Sequence, residues 1–228
     1  MNSVADNLNR IRERIANAAT RSRRQPEDIT LIAVTKTVAA EQINHAIAAG
    51  VKIIGESRIQ EAMDKREEIQ PATWHMIGHL QTNKVKYAVR IFDMIQSVDS
   101  IHLAREINKR CASTDRKMPV LIEINTSGEE SKYGCGPGKA PELVHAISEM
   151  KNLQIRGLMT IGLFSDDPDA VRPCFVSLRQ LAERIAEMKI PGVAMDILSM
   201  GMSSDFELAI EEGSTMVRIG SAIFGARN

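Results

Sequence analysis

Short apolar runs alternate with longer helical segments along the whole chain, and this alternation constrains the fold more than any other feature. Residues 29–34, 51–54, 74–77, 94–98, 120–125, 155–160, 197–200 and 216–219 read as eight strands. Segments with helical periodicity lie between them, at 41–49, 58–69, 83–89, 101–111, 141–150, 170–188 and 204–212, the first closed by the stop signal Gly50. Ahead of the first strand, residues 4–19 place Leu8, Ile11, Ile15 and Ala18 on one face, as an amphipathic helix does. Strands alternating with helices imply parallel pairing, because parallel neighbours need a crossover and a helix is the usual one. The strands are apolar on successive residues, the pattern expected where both faces of the sheet are covered. Eight such units in 228 residues, near the typical length of roughly 250, predict a single (β/α)8 TIM-type barrel with an additional N-terminal helix. A doubly wound open sheet is the alternative. With no linker-like stretch and no repeat by residue identity, residues 1–228 are expected to form one domain.

Charge narrows the function classes. Lysines and arginines number 29 against 29 aspartates and glutamates, which leaves no excess to draw the chain onto nucleic acid or an anionic membrane. No apolar run approaches the roughly 18 residues needed to span a bilayer, and the first residues lack the basic and apolar pattern of a signal peptide. A cytoplasmic location without nucleic-acid or membrane partners is expected. Cys111, Cys135 and Cys174 are an odd number, widely spaced, and suggest neither a disulfide framework nor a zinc site. The glycines of residues 134–138 mark a loop, and no phosphate-loop or dinucleotide motif accompanies them.

In a parallel barrel the chemistry sits at the C-terminal ends of the strands. Lys36 follows the first strand closely enough to point into the barrel mouth, where partial burial disfavours its ammonium form and a neutral amine attacks a carbonyl to form a Schiff base. A lysine reaching from a strand end to solvent is the other reading. After the last two strands, Ser199, Ser203, Gly220 and Ser221 suit an anion such as phosphate, glycine by close backbone approach and serine by its hydroxyl. Ser203 or Ser204 as a helix cap is the alternative. Arg218 lies inside an apolar strand, where a guanidinium needs a partner, either an interior carboxylate or a ligand atom. His75 and His79 are four residues apart but straddle a strand end, so a metal pair is not expected, and His79 is placed in a loop where Gln81 and Asn83 join it at the pocket mouth. The methionines around the late strands, Met202 among them, read as adaptable packing.

Several blocks occur together and in order: residues 33–36 (AVTK), 55–61 (GESRIQE), 74–84 (WHMIGHLQTNK), 157–159 (GLM), 198–203 (LSMGMS) and 217–225 (VRIGSAIFG). This set resembles the pyridoxal phosphate homeostasis protein family and spans nearly the whole chain. The resemblance implies a barrel similar to the N-terminal domain of bacterial alanine racemase that carries pyridoxal 5'-phosphate (PLP) as a covalent internal aldimine on Lys36. It implies that Ser199, Met202, Ser203, Gly220 and Ser221 surround the cofactor, largely as a phosphate cradle, and that Arg218 faces the pyridine nitrogen. An arginine stays protonated and leaves that nitrogen unprotonated, which weakens the cofactor as an electron sink. The family usually has asparagine where this chain has Ser57, so a cofactor contact there is expected to run through water.

Racemisation needs a second base opposite Lys36. In alanine racemases a tyrosine supplies it across a dimer, with the help of a further β-domain. This chain ends at Asn228, after the eighth unit, and its tyrosines are Tyr87 and Tyr133. The reading that follows is a monomeric PLP carrier or buffer acting on amino-acid and keto-acid balance, not an enzyme with robust turnover, whose partners are PLP and the apo-enzymes that receive it. The alternatives are a minimal PLP-dependent amino-acid racemase and a cofactor-free Schiff-base barrel for a sugar phosphate.

Overall fold

Eight strands, β1 (Thr30–Val34), β2 (Ile53–Glu56), β3 (Thr73–Met76), β4 (Met94–Val98), β5 (Met118–Glu123), β6 (Leu153–Met159), β7 (Val193–Ser199) and β8 (Met216–Ile219), pair in parallel in chain order. β8 returns to β1, with Leu31 opposite Val217 and Ile32 opposite Arg218, and so closes the barrel. The structure is a computed structural model and describes residues 3–225. The helices are α1 (Val4–Arg21), α2 (Ala40–Ala48), α3 (Ile59–Lys65), α4 (Val85–Ile91), α5 (Ile101–Ala112), α6 (Ala140–Ser148), α7 (Pro168–Glu187), α8 (Phe206–Glu211) and the short α9 (Ser221–Phe224). The expected (β/α)8 barrel with its N-terminal helix is the observed fold, and the open sheet is excluded by the β1–β8 pairing.

The N-terminal helix has a structural task. Ser3 caps α1 in a reciprocal box with Asp6, satisfying backbone donors that a helix start leaves unpaired. The helix buries Leu8, Ile11, Ile15, Ala18 and Ala19 and packs against α2, α8 and α9. Because α9 spans only 4 residues, α1 fills the place that a full helix after β8 would occupy.

The apolar residues separate into two layers. Ile54, Trp74, Ile95, Val120, Ile122, Leu158 and Leu198 belong to the large core between strands and helices. Met94, Leu121 and Met159 form a small cluster of their own, with Ile161 and Ile197 against it. This division matches strands that are apolar on both faces. The cysteines are free: Cys111 and Cys174 are buried and Cys135 is half-buried.

Several boundaries move for local physical reasons. β6 begins at Leu153 and β7 at Val193, ahead of the apolar runs, because Leu153 and Gln154 pair with Met118 and Pro119 of β5 and Val193 pairs with Ile155; Arg156 and Asp196 form an ion pair across the two strands. The helix expected over 58–69 stops at Lys65 and tightens into a 3-10 turn, Arg66–Glu68, as helix ends often do. α8 begins at Phe206 with Asp205 as its N-cap residue, so neither Ser203 nor Ser204 caps it.

Gly157 shows how tightly β6 and β7 meet. The register of β6 shifts on both of its sides between Ile155 and Gly157. Gly157 adopts φ 152°, and a Cβ there would lie 1.9 Å from the Ile197 carbonyl oxygen. Gly157→Ala is expected to cost more than about 3 kcal/mol or to prevent folding. Urea unfolding checks this, and a midpoint equal to that of the parent contradicts it.

Candidate functional site

Lys36 stands two residues beyond the end of β1, half-buried, on the wall of a cleft of about 700 Å³. Ser57, Arg58 and Glu61 from the β2 side, Gly78, His79 and Gln81 from the loop after β3, and Tyr133 from the loop after β5 share that cleft. Strand order produces the grouping, because successive parallel strands deliver their following loops to one end of the barrel. Gly78 lets its loop close on Ser57: a Cβ at position 78 would lie 2.6 Å from the Ser57 carbonyl oxygen. His79 and Tyr133 stack with ring centroids 3.8 Å apart, and His79 Nδ1 is 3.6 Å from an Asp99 carboxylate oxygen. His79 and Gln81 therefore lie where the sequence places them, at the cleft, while Asn83 is not among the residues that line it.

The turn that carries Lys36 is strained and heavily bonded. Thr37 has φ 61°, a left-handed conformation that a β-branched residue rarely adopts. Its N–H donates to Glu61 Oε1. Lys65 Nζ donates to the carbonyls of Thr35 (2.9 Å) and Val38 (3.4 Å) and pairs with Glu61 (2.9 Å) and the buried Glu56 (2.8 Å). Thr35 Oγ1 donates to Glu56 Oε1 at 2.6 Å.

The loops after β7 and β8 are joined to each other. Ser203 Oγ accepts the Gly220 N–H at 3.3 Å and the Ala222 N–H at 3.4 Å. The Met202 N–H donates to Asp205 Oδ1 at 2.6 Å, and the Arg218 N–H donates to the Gly201 carbonyl at 3.0 Å. Gly201 is obligatory here: its φ is 93°, and a Cβ would lie 2.6 Å from that of Ala209. Met202 and Ser203 are half-buried, Gly220 is buried and Ser221 is exposed.

Beneath these loops a polar chain runs through the strands. Arg218 Nη2 donates to the Thr160 carbonyl at 2.8 Å, and Nη1 donates to Ser199 Oγ at 2.7 Å. Ser199 Oγ donates in turn to Gln96 Oε1 at 2.7 Å, and Gln96 Nε2 lies 2.9 Å from His75 Nδ1. The direct partners of Arg218 are thus a hydroxyl and a carbonyl, while Glu123 and Asp205 act on it electrostatically. Ser199 is fully buried with its hydroxyl engaged on both sides, so it links this chain and is not an open donor for an anion.

Burial sets the protonation of the chain. It lowers Arg218 to about 10, against the favourable charges of Glu123 and Asp205, so the guanidinium stays charged at neutral pH. It lowers His75 to about 4, so this ring is neutral and its Nδ1 accepts from Gln96. It raises Glu123 to about 7, with Asp99 adding to the effect and Arg218 opposing it.

No local sequence pattern marks the Glu56–Glu61–Lys65 cluster, Glu123, Thr160 or the place of Tyr133. Gln96 was detectable in principle, as a polar residue inside an apolar strand. Tyr133 lies in a glycine-flanked loop with no periodicity to place it.

Known proteins share this architecture. The family described as alanine racemase, N-terminal domain, matches residues 7–228. The pyridoxal phosphate homeostasis protein of Aquifex aeolicus is 42% identical over 227 residues, 99% of each chain. That of Escherichia coli is 42% identical over 233 residues, 100% of this chain and 98% of the other. PipY of Synechococcus elongatus, solved with PLP bound, superposes with a TM-score of 0.85 at 32% identity, covering 98% of this chain and 100% of that one. Alanine racemase of Clostridium difficile reaches a TM-score of 0.81 at 17% identity, covering 99% of this chain and 57% of the racemase, which shows a common fold.

The titration of Glu123 gives a test of the site's electrostatics. Its raised pKa means the folded state holds a proton that the unfolded chain releases above pH 4.5, so its stabilising contribution is full below pH 4.5 and is lost as pH rises through about 7. His75 acts oppositely, its contribution being lost as pH falls from 6.5 to about 4. Comparing Glu123→Gln with the parent isolates the glutamate: relative to the parent, the variant should gain about 2–3 kcal/mol between pH 5 and pH 8. Urea unfolding at the two pH values measures this, and a constant difference contradicts it.

With its full-length relatives and its eight-stranded barrel taken together, the chain belongs to the pyridoxal phosphate homeostasis protein family.

Proposed function

We propose that this chain holds PLP at the C-terminal end of its barrel and serves in the cytoplasm as a monomeric, single-domain carrier and buffer of that cofactor, releasing it to apo-enzymes without robust turnover of its own. The observation that carries this reading is Lys36 at the cleft wall beside β1, in a barrel whose β8 holds the buried cation Arg218 and whose β7 and β8 loops are small and hydroxyl-bearing. The donor set fits PLP: an amine for the aldehyde, a permanent cation for the ring nitrogen, and Ser203, Gly220 and Ser221 with Met202 beside them for the phosphate.

When bound, PLP supplies a reversible electrophile and a ring able to stabilise a carbanion if its nitrogen is protonated. Lys36 would attach covalently through Nζ. Arg218, fixed by Ser199 and the Thr160 carbonyl, would meet the ring nitrogen as a group that cannot give up its proton at neutral pH. That choice weakens carbanion chemistry and suits storage. Ser199 would act through Arg218. Ser57, at the cleft wall, would reach the cofactor through water.

One observation favours the second reading, a minimal PLP-dependent racemase: Tyr133 lies in the same cleft as Lys36, on the same chain. Its side chain is stacked on His79 and the residue is 55% exposed, which favours a rim residue over a base held against a substrate carbon. Among the described residues no helix is long and apolar enough to cross a membrane.

Incubation with PLP, borohydride reduction and peptide mapping test the site. The pyridoxyl label is expected on Lys36 and is expected to vanish in Lys36→Ala. Untreated protein loaded with PLP should restore activity to an apo-enzyme. A label distributed over surface lysines overturns the assignment of the site, and a loaded protein that never yields its cofactor overturns the carrier role.

A further inference from the structure

The turn bearing Lys36 is held by a set of charges that the proposed function does not use. Within residues 35–38 the Thr35 hydroxyl, the Thr35 carbonyl, the Thr37 N–H and the Val38 carbonyl are all bound by Glu56, Glu61 and Lys65. A surface turn would leave such groups to water. Here Lys65 is the last residue of α3, its side chain is buried, and its ammonium contacts two carbonyls and two carboxylates. Glu56 is the last residue of β2 and is fully buried. Burying the charges of Lys65 and Glu56 is costly and is offset only by close, well-directed partners, which Lys65 Nζ and Glu56 Oε1 have here while the buried Glu56 Oε2 has no hydrogen-bond partner. These partners converge on one turn, and the conformation they hold is the unfavourable left-handed one at Thr37.

We propose that Glu61, Lys65 and Glu56 form a positioning clamp that fixes the 35–38 turn and thereby aims the Lys36 amine. Glu61 and Lys65 come from α3, so the clamp ties the reactive turn after β1 to the helix after β2. This inference rests on the reading of Lys36 as the PLP-binding lysine. In the capture, Lys36 Nζ forms the C–N bond to the aldehyde carbon, and both amine protons leave with the aldehyde oxygen as water. None of the three clamp residues exchanges a proton in that step. Their contribution is geometric, and a misplacement of an ångström at such a centre is expensive.

Glu61→Ala removes the acceptor for the Thr37 N–H while leaving the Lys65–Glu56 pair intact, and Glu61 is partly exposed, so the barrel should fold. Glu61→Gln keeps an oxygen within reach and serves as the conservative rescue. Three readouts separate the outcomes: the thermal midpoint, amide hydrogen exchange of residues 35–38, and the rate of borohydride-trapped PLP labelling at Lys36. For Glu61→Ala we expect a thermal midpoint within a few degrees of the parent, exchange in the turn about tenfold faster, and labelling of Lys36 slowed about tenfold or more. For Glu61→Gln we expect labelling within about threefold of the parent. If Glu61→Ala does not fold, Glu61→Asp, which keeps the charge and shortens the reach, carries the same expectation for exchange and labelling. Parent-like exchange in the turn together with parent-like labelling overturns the clamp. If the parent itself fails to label at Lys36, the PLP reading falls, and the exchange comparison still decides the clamp: a turn as protected in Glu61→Ala as in the parent refutes it.

Discussion

A guanidinium enclosed by a barrel is the constraint around which this site is arranged. Arg218 lies in β8, the strand that closes the sheet, and leaving its charge unmatched there would cost several kcal/mol. The interior answers with a hydroxyl, a main-chain carbonyl and two carboxylates at longer range. Those choices propagate outward. Ser199 is committed to Arg218 and Gln96, Gln96 is committed to a neutral His75, and the Arg218 N–H is tied to Gly201 in the loop after β7. The cation is therefore fixed independently of any ligand, which is what preorganised electrostatics requires.

The same architecture divides labour between two groups of loops at the C-terminal end of the barrel, those that line the Lys36 cleft and those after β7 and β8, which lie outside its lining. On the β1–β2 side, charge serves geometry: a buried ion cluster stabilises a turn that its own sequence disfavours. On the β7–β8 side, small residues serve approach: Gly201 adopts a backbone closed to other residues, and Ser203 ties the two loops into one surface. Alanine racemase shares the barrel at 17% identity, yet this chain spans 57% of the racemase chain. The common part is the barrel scaffold, and a scaffold of this kind supports different chemistries according to what surrounds it.

Much of this was legible in the sequence because it is periodic or local. Eight apolar runs at barrel spacing give the topology, and Lys36 and Arg218 are conspicuous as cations at a strand end and within an apolar strand. Ser203, Gly220 and Ser221 follow from the rule that chemistry lies after the strands. What was hidden depends on contacts between distant residues. Lys65 reads as an ordinary polar residue near the end of a helix, and nothing local announces that its ammonium turns inward to residues 35 and 38. Ser199 looks like an anion donor in its local sequence because its partners, Gln96 and Arg218, are 103 and 19 residues away. Ser203 reads equally as cap or cradle; the helix start at Phe206 excludes the α8 cap, and its hydroxyl instead accepts the Gly220 and Ala222 N–H groups.

On the function proposed here, a lysine, a fixed arginine and a small-residue cradle hold PLP without driving carbanion chemistry. Exchange of the α-hydrogen of amino acids in deuterated water, followed by proton NMR with PLP-loaded protein, tests it most directly. Exchange no faster than with free PLP at the same concentration is expected. Exchange well above that level, lost in Lys36→Ala, would contradict it and establish a racemase-type enzyme.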